Sequence, residues 1–154
     1  MTSNTRRAVE ASRLHPHCIV YGTGNPRGLG LRFGVSDDDH RIEATFDCSE
    51  IFEGYIGLVH GGIVSAVLDG AMANCLFHLG CIAHTSGLSV RFRHPVLVGR
   101  KATVRAWLER SHRRLHVLAA ELEQDGQVKA VASAKYLEKR AQSSELRTAC
   151  IANR

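Results

Sequence analysis

The chain has 154 residues, 44% of them hydrophobic and only 6% aromatic, with a formal net charge of +5 at pH 7. That length and apolar content suit one globular domain with a core of its own. The positive balance fits an anionic partner, but with so few aromatics and no RNP-like, zinc-knuckle or zinc-finger pattern the sequence argues against nucleic acid.

Residues 1–14 are polar and Arg-bearing and read as a short surface helix or arm; they lack the apolar stretch of a secretory signal. Residues 15–140 read as the folded domain and 141–154 as a loose C-terminal tail. The stretch from His15 to Gly34 is predicted as strand, turn, strand: Asn25, Pro26 and several glycines mark the turn, and Leu29, Leu31 and Phe33 alternate after it. His15, His17 and Cys18 lie close together, yet no fourth ligand follows at zinc-like spacing, so no metal and no other cofactor is expected. Ser36 to Asp39 form a polar turn into a strand where Ile42, Ala44 and Phe46 alternate with polar neighbours, which predicts a hairpin. From Asp47 to Ile56 the chain offers Phe52 and Tyr55 as apolar pocket lining, with Gly54 and Gly57 allowing unusual backbone angles.

Gly57 to Gly80 reads as one long helix, apolar on nearly every side and therefore expected to be buried all round. Two polar features stand out on it. Asp69 sits among aliphatics, where a carboxylate is costly unless it is paired or faces a cavity. His60-Gly61-Gly62 places bare backbone at a helix N-terminus, where free N–H groups and the positive dipole end suit an oxyanion. Asp69 follows Gly62 by seven residues, about 10 Å along the axis at roughly 1.5 Å per residue. Groups that attack and polarise one carbonyl must each come within about 3 Å of it. If both act in one reaction, Asp69 therefore comes from the antiparallel helix of a second subunit.

The mixed stretch after Gly80 carries Thr85 and Ser86 and leads into a half-buried strand at Leu88, Val90 and Phe92, ending before Pro95. Three long antiparallel strands then span Lys101 to Glu138, with turns at Glu109 to Arg114 and at Asp125-Gly126. The architecture is α+β, a five- or six-stranded antiparallel sheet wrapped around one helix. Arg91, Arg93, His94, Arg100 and Lys101 cluster at one strand end, with Arg110, Arg113 and Arg114 in a later turn. The five cysteines include no C-x-x-C pair, and no apolar run reaches the roughly 18 residues of a membrane span, so a cytoplasmic protein without membrane contact is expected.

Gly57-x-x-His60-Gly61-Gly62 with Asp69, Asn25-Pro26-x-Gly28-Leu29 with Arg32-Phe33, Phe92-x-x-Pro95-Val96 with Gly99, and Asp125-Gly126 together resemble the hot-dog-fold acyl-CoA thioesterases of the PaaI-like, 4-hydroxybenzoyl-CoA-thioesterase type. The resemblance runs from about Cys18 to about Glu138. It implies a homodimer or homotetramer whose sheets join edge to edge, hydrolysing acyl-CoA to free acid and CoA at sites between subunits. By position, Gly62 would donate the backbone N–H that polarises the thioester, supported by Gly61. Asp69 would be nucleophile or general base, and His60 would shape the loop or contact the thioester. Thr85 or Ser86 stands where such enzymes can place a hydroxyl that orients water, and Arg91, Arg93 and His94 are candidates for the CoA phosphates. Glu53-Gly54-Tyr55 lacks the Asn or Gln that some relatives use before the helix. The alternative is a non-catalytic acyl-CoA-binding or regulatory protein on the same fold. A dehydratase is disfavoured because its His-Phe-Pro loop is missing.

Overall fold

In the computed structural model, which describes residues 14–36 and 41–138, the alternating stretches form a six-stranded antiparallel sheet and the long apolar stretch forms a helix across its face. The strands are β1 (Gly34–Val35), β2 (Ile42–Asp47), β3 (Ala83–Phe92), β4 (Lys101–His112), β5 (Leu115–Gln124) and β6 (Gln127–Glu138), and the helix, α1, is Gly61–His78. Their order in the sheet is β1-β2-β4-β5-β6-β3, so β3 is an edge. The core lies between sheet and helix. Val64, Val67, Leu68, Ala71, Met72 and Leu76 of α1 are buried against inward residues such as Phe46, Val104, Leu118 and Ala130. Each large side chain so buried contributes about 1.5–3 kcal/mol relative to exposure.

The three long strands expected between Lys101 and Glu138 are present, and Asp125-Gly126 forms their second turn with positive φ at both residues. Four details differ from the sequence reading. β4 runs on to His112, so the first turn narrows to Arg113-Arg114, with Arg113 at φ +54. The helix is shorter than Gly57 to Gly80, because Glu53 bridges to Val59 and Leu58 to Leu97 before it starts. Only Gly34 and Val35 of the first region pair as a strand. The rest is turns whose Leu29 and Leu31 N–H groups donate to Ile19 and Val20 carbonyls within the same loop. Finally, α1 is not buried all round in the single chain. Gly62 is exposed, and Ser65, Ala66, Asp69 and Ala73 are half-buried along one stripe. The N-terminal arm beyond Leu14 and the C-terminal tail lie outside the described residues.

The 15–31 loop packs on α1 through the His15 and Tyr21 rings against Phe77 and, most tightly, through Val20 at Gly70. A Cβ on Gly70 would stand 2.5 Å from Val20 Cγ1, closer than real contacts allow. Gly70→Ala is therefore expected to cost about 1–3 kcal/mol, read as a lower urea midpoint; an unchanged midpoint would mean that the loop shifts freely. None of the described helices is long and apolar enough to cross a membrane.

Candidate active site

A cavity of about 670 Å³ opens at the N-terminal end of α1, bounded among others by Tyr55, His60, Gly61, Phe92, Arg93 and His94. The loop before the helix makes one wall by turning back sharply. Gly57 takes φ +78, which favours glycine. Gly54 passes so close to His60 that a Cβ would lie 3.0 Å from its Cα. His60 then becomes the N-cap, with extended backbone at φ −60 and ψ 132. Its Nδ1 accepts the Gly62 N–H at 2.9 Å, which places the ring proton on Nε2. The Gly62 N–H is thus already engaged in the isolated chain, and a substrate oxygen that uses it must take the place of the imidazole.

Asp69 forms a second centre, away from the cavity lining. Its Oδ1 accepts hydrogen bonds from the Tyr136 hydroxyl at 2.6 Å and from Thr85 Oγ1 at 2.9 Å. The Tyr136 hydroxyl also lies 2.9 Å from the Asp69 carbonyl oxygen. Burial, and after it the Asp69 charge, push the Tyr136 phenol well above its ordinary range, so this hydroxyl stays protonated and donating. Nothing among the described residues donates to Oδ2. One carboxylate oxygen is held by two donors and the other accepts none from the described residues.

The remaining candidates divide. A bulge between Thr85 and Gly87 turns Ser86 aside, and its hydroxyl donates to the Lys135 carbonyl at 3.1 Å, so of the two hydroxyls it is Thr85 that reaches Asp69. Tyr55, Arg93 and His94 border the cavity, whereas Arg91 lies outside its lining. Phe52 packs its ring on Phe46 at a centroid distance of 5.7 Å, and it too is outside the lining. Arg100 pairs with Asp125. Arg110, Arg113 and Arg114 sit at the other end of the 12-residue β4, roughly 35 Å away at about 3.3 Å per residue, so the basic residues do not form one group within a chain. His15 Nδ1 meets the Tyr21 hydroxyl at 3.0 Å, and His15, His17 and Cys18 make no joint ligand set among the described residues. Cys75 is no nucleophile at neutral pH, since burial pushes its thiol up to about 11.

Sequence reasoning missed Tyr136, which is only 1% exposed. The signal was available: Ala130, Ala132 and Ala134 alternate toward the helix, and the next position in that series is a hydroxyl-bearing ring rather than another small residue. Phe92 was read as a strand residue and a motif position with no role at the site, yet it stands against the helix start, where a Cβ on Gly61 would touch its ring at 3.4 Å.

A family model described as the acyl-CoA thioesterase N-terminal domain matches residues 53–137. Acyl-coenzyme A thioesterase THEM4 of Bos taurus is 28% identical over 92 residues, a match that covers 58% of this chain and 37% of that protein, so the chain spans little more than a third of that relative. A phenylacetic acid degradation-related protein of Ralstonia eutropha superposes with a TM-score of 0.65 at 29% identity, over 71% of this chain and 85% of that one. The PaaI protein of the E. coli phenylacetic acid degradation operon shares the fold at a TM-score of 0.71 and 19% identity, over 90% of this chain and 100% of that one.

Proposed function

The chain belongs to the acyl-CoA thioesterase family, whose model matches more than half of it, and on that premise we propose that it hydrolyses acyl-CoA thioesters to the free acid and CoA. The setting of Asp69 carries this reading. A carboxylate fixed at one oxygen by Tyr136 and Thr85, with the other oxygen open, suits attack on a carbonyl or proton abstraction from water. In the first route Asp69 displaces the CoA thiolate and forms an anhydride that water cleaves. In the second, water attacks as Asp69 takes its proton. Both release the same acid and thiol. The Gly62 N–H, freed from His60, would receive the carbonyl oxygen at the positive end of α1.

A homodimer supports the assembly of one site from these two centres. β3 is a ten-residue edge strand without a partner on its outer side among the described residues, with Leu88 41% and Phe92 52% exposed. An edge of that length invites pairing with a second copy. Pairing through a two-fold axis would lay the stripe of Gly62, Ala66, Asp69 and Ala73 against its own copy running the other way, so that Asp69 of one subunit faces the helix start of the other. Arg93 and His94 at the cavity border would then meet the CoA phosphates, with Arg91 further along the same edge. The oligomer is a dimer or a pair of dimers, and a cytoplasmic setting fits cysteines that form no disulfide among the described residues.

A panel of acyl-CoA esters with a thiol-trapping dye tests the activity. Release of CoA by wild type is the expected result; binding of acyl-CoA without turnover would favour the non-catalytic alternative. Tyr136→Phe keeps the ring and removes the hydroxyl. The loss of a hydrogen bond to a charged group, about 1.5–3 kcal/mol, is expected to lower kcat about tenfold to a hundredfold with little change in KM. A KM effect alone would count against a role for Tyr136 in holding Asp69.

A further inference from the structure

At the end of the sheet away from the cavity, three side chains from three segments converge. Cys81 follows the last turn of α1, His116 lies at the start of β5 and Glu138 ends β6. The cysteine sulfur, an imidazole nitrogen and a carboxylate oxygen all lie within 4.8 Å of one another. We propose that this cluster binds a divalent transition metal of the zinc class, with water completing the coordination.

The donor set favours that ion. Thiolate, imidazole and carboxylate together suit zinc and its neighbours, and three protein ligands leave room for one water in a tetrahedral site. The charges also balance: a thiolate and a carboxylate offset a dication, which removes the penalty of burying either one unpaired. The His116 side chain is only 5% exposed, and its ring is oriented from both sides. Nε2 stands 2.6 Å from Glu138 Oε1, and Nδ1 stands 2.8 Å from Ser111 Oγ. Without a metal, a proton must sit between Nε2 and Glu138. Metal binding would shift the ring proton to Nδ1, where Ser111 Oγ accepts it, and would release the Cys81 thiol proton to solvent. An outer hydrogen bond of that kind is what fixes the tautomer of a ligating histidine. The framework is already set by strand register, since Ser111 pairs with His116, Ala83 with Glu138, and the Glu138 N–H donates to the Arg114 carbonyl at 3.0 Å. The arrangement does not depend on the proposed hydrolysis, because Asp69 and the cavity use none of these three side chains.

The test strips the intact protein with a chelator and titrates it with cobalt(II). Uptake of a single equivalent with a thiolate-to-cobalt charge-transfer band is expected. The band should be lost in Cys81→Ser, should be lost in His116→Gln, and should remain in Cys18→Ser. Glu138→Gln, which keeps both stronger ligands, is expected to weaken cobalt affinity at least roughly tenfold, and it serves if the other variants fail to fold. Absence of the band in wild type, its survival in Cys81→Ser, or unchanged affinity in Glu138→Gln would each overturn the site and leave an ordinary buried His–Glu pair.

Discussion

Asp69→Ala is expected to reduce acyl-CoA hydrolysis by about a thousandfold, within the range that a positioned acid–base group supplies, while the protein folds and assembles as before. The residue is half-buried on the free stripe of α1 rather than in the core, so its loss opens no large void. Tyr136 and Thr85 lose an acceptor, and Thr85 is exposed enough to turn to water. Asp69→Asn separates chemistry from packing, because the amide retains an oxygen for Tyr136 but can neither attack as a carboxylate nor take a proton. Equal loss in both variants is the catalytic signature. A carboxylate that merely bridges subunits would instead show normal kcat with a weakened oligomer.

Gly62→Pro is the second large effect. Proline is tolerated in the first turn of a helix but has no N–H. The substitution therefore removes the group that His60 Nδ1 caps and that the thioester oxygen is proposed to use. The ring would approach His60 at the tip of its imidazole, where a Cβ already meets Nδ1 at 3.0 Å, and that side chain can rotate away. Loss of one oxyanion donor is expected to lower kcat by about a hundredfold or more. Steady-state kinetics on a purified variant with unchanged circular dichroism checks it, and an unchanged kcat would place the carbonyl elsewhere.

Much of the candidate site was legible because its signals are local. Asp69 is conspicuous in an apolar helix, and the His60-Gly61-Gly62 turn marks where that helix begins. β4, β5 and β6 followed from plain alternation and from one turn dipeptide. What escaped depends on contacts between distant segments. Leu29, Leu31 and Phe33 alternate because that loop lies over α1, not because it pairs in a sheet. The start of β3 shows little hydrophobic alternation because Ala83 to Ser89 form an outer edge facing solvent in the single chain. Arg100 and Arg114 were already separated by the alternation between Lys101 and Leu108, and β4 does carry them to opposite ends of the sheet. Phe52 read as pocket lining, but the short helical turn at Glu50–Phe52 folds its ring back onto Phe46, only six residues earlier. The helix stripe that remains open holds small residues and one carboxylate, and its exposure in the single chain is what motivates the proposed two-subunit site.

Subunit complementation tests the central claim most directly. Asp69→Ala and Gly62→Pro chains, co-expressed under two tags and purified through both, form mixed pairs in which one site receives Asp69 and Gly62 from different chains and the other receives neither. If each site joins the helix start of one subunit to the Asp69 of its partner, the mixed species should recover turnover to about half of wild type, as two-fold symmetry requires. Activity no higher than that of the two parent variants would contradict a site shared between subunits.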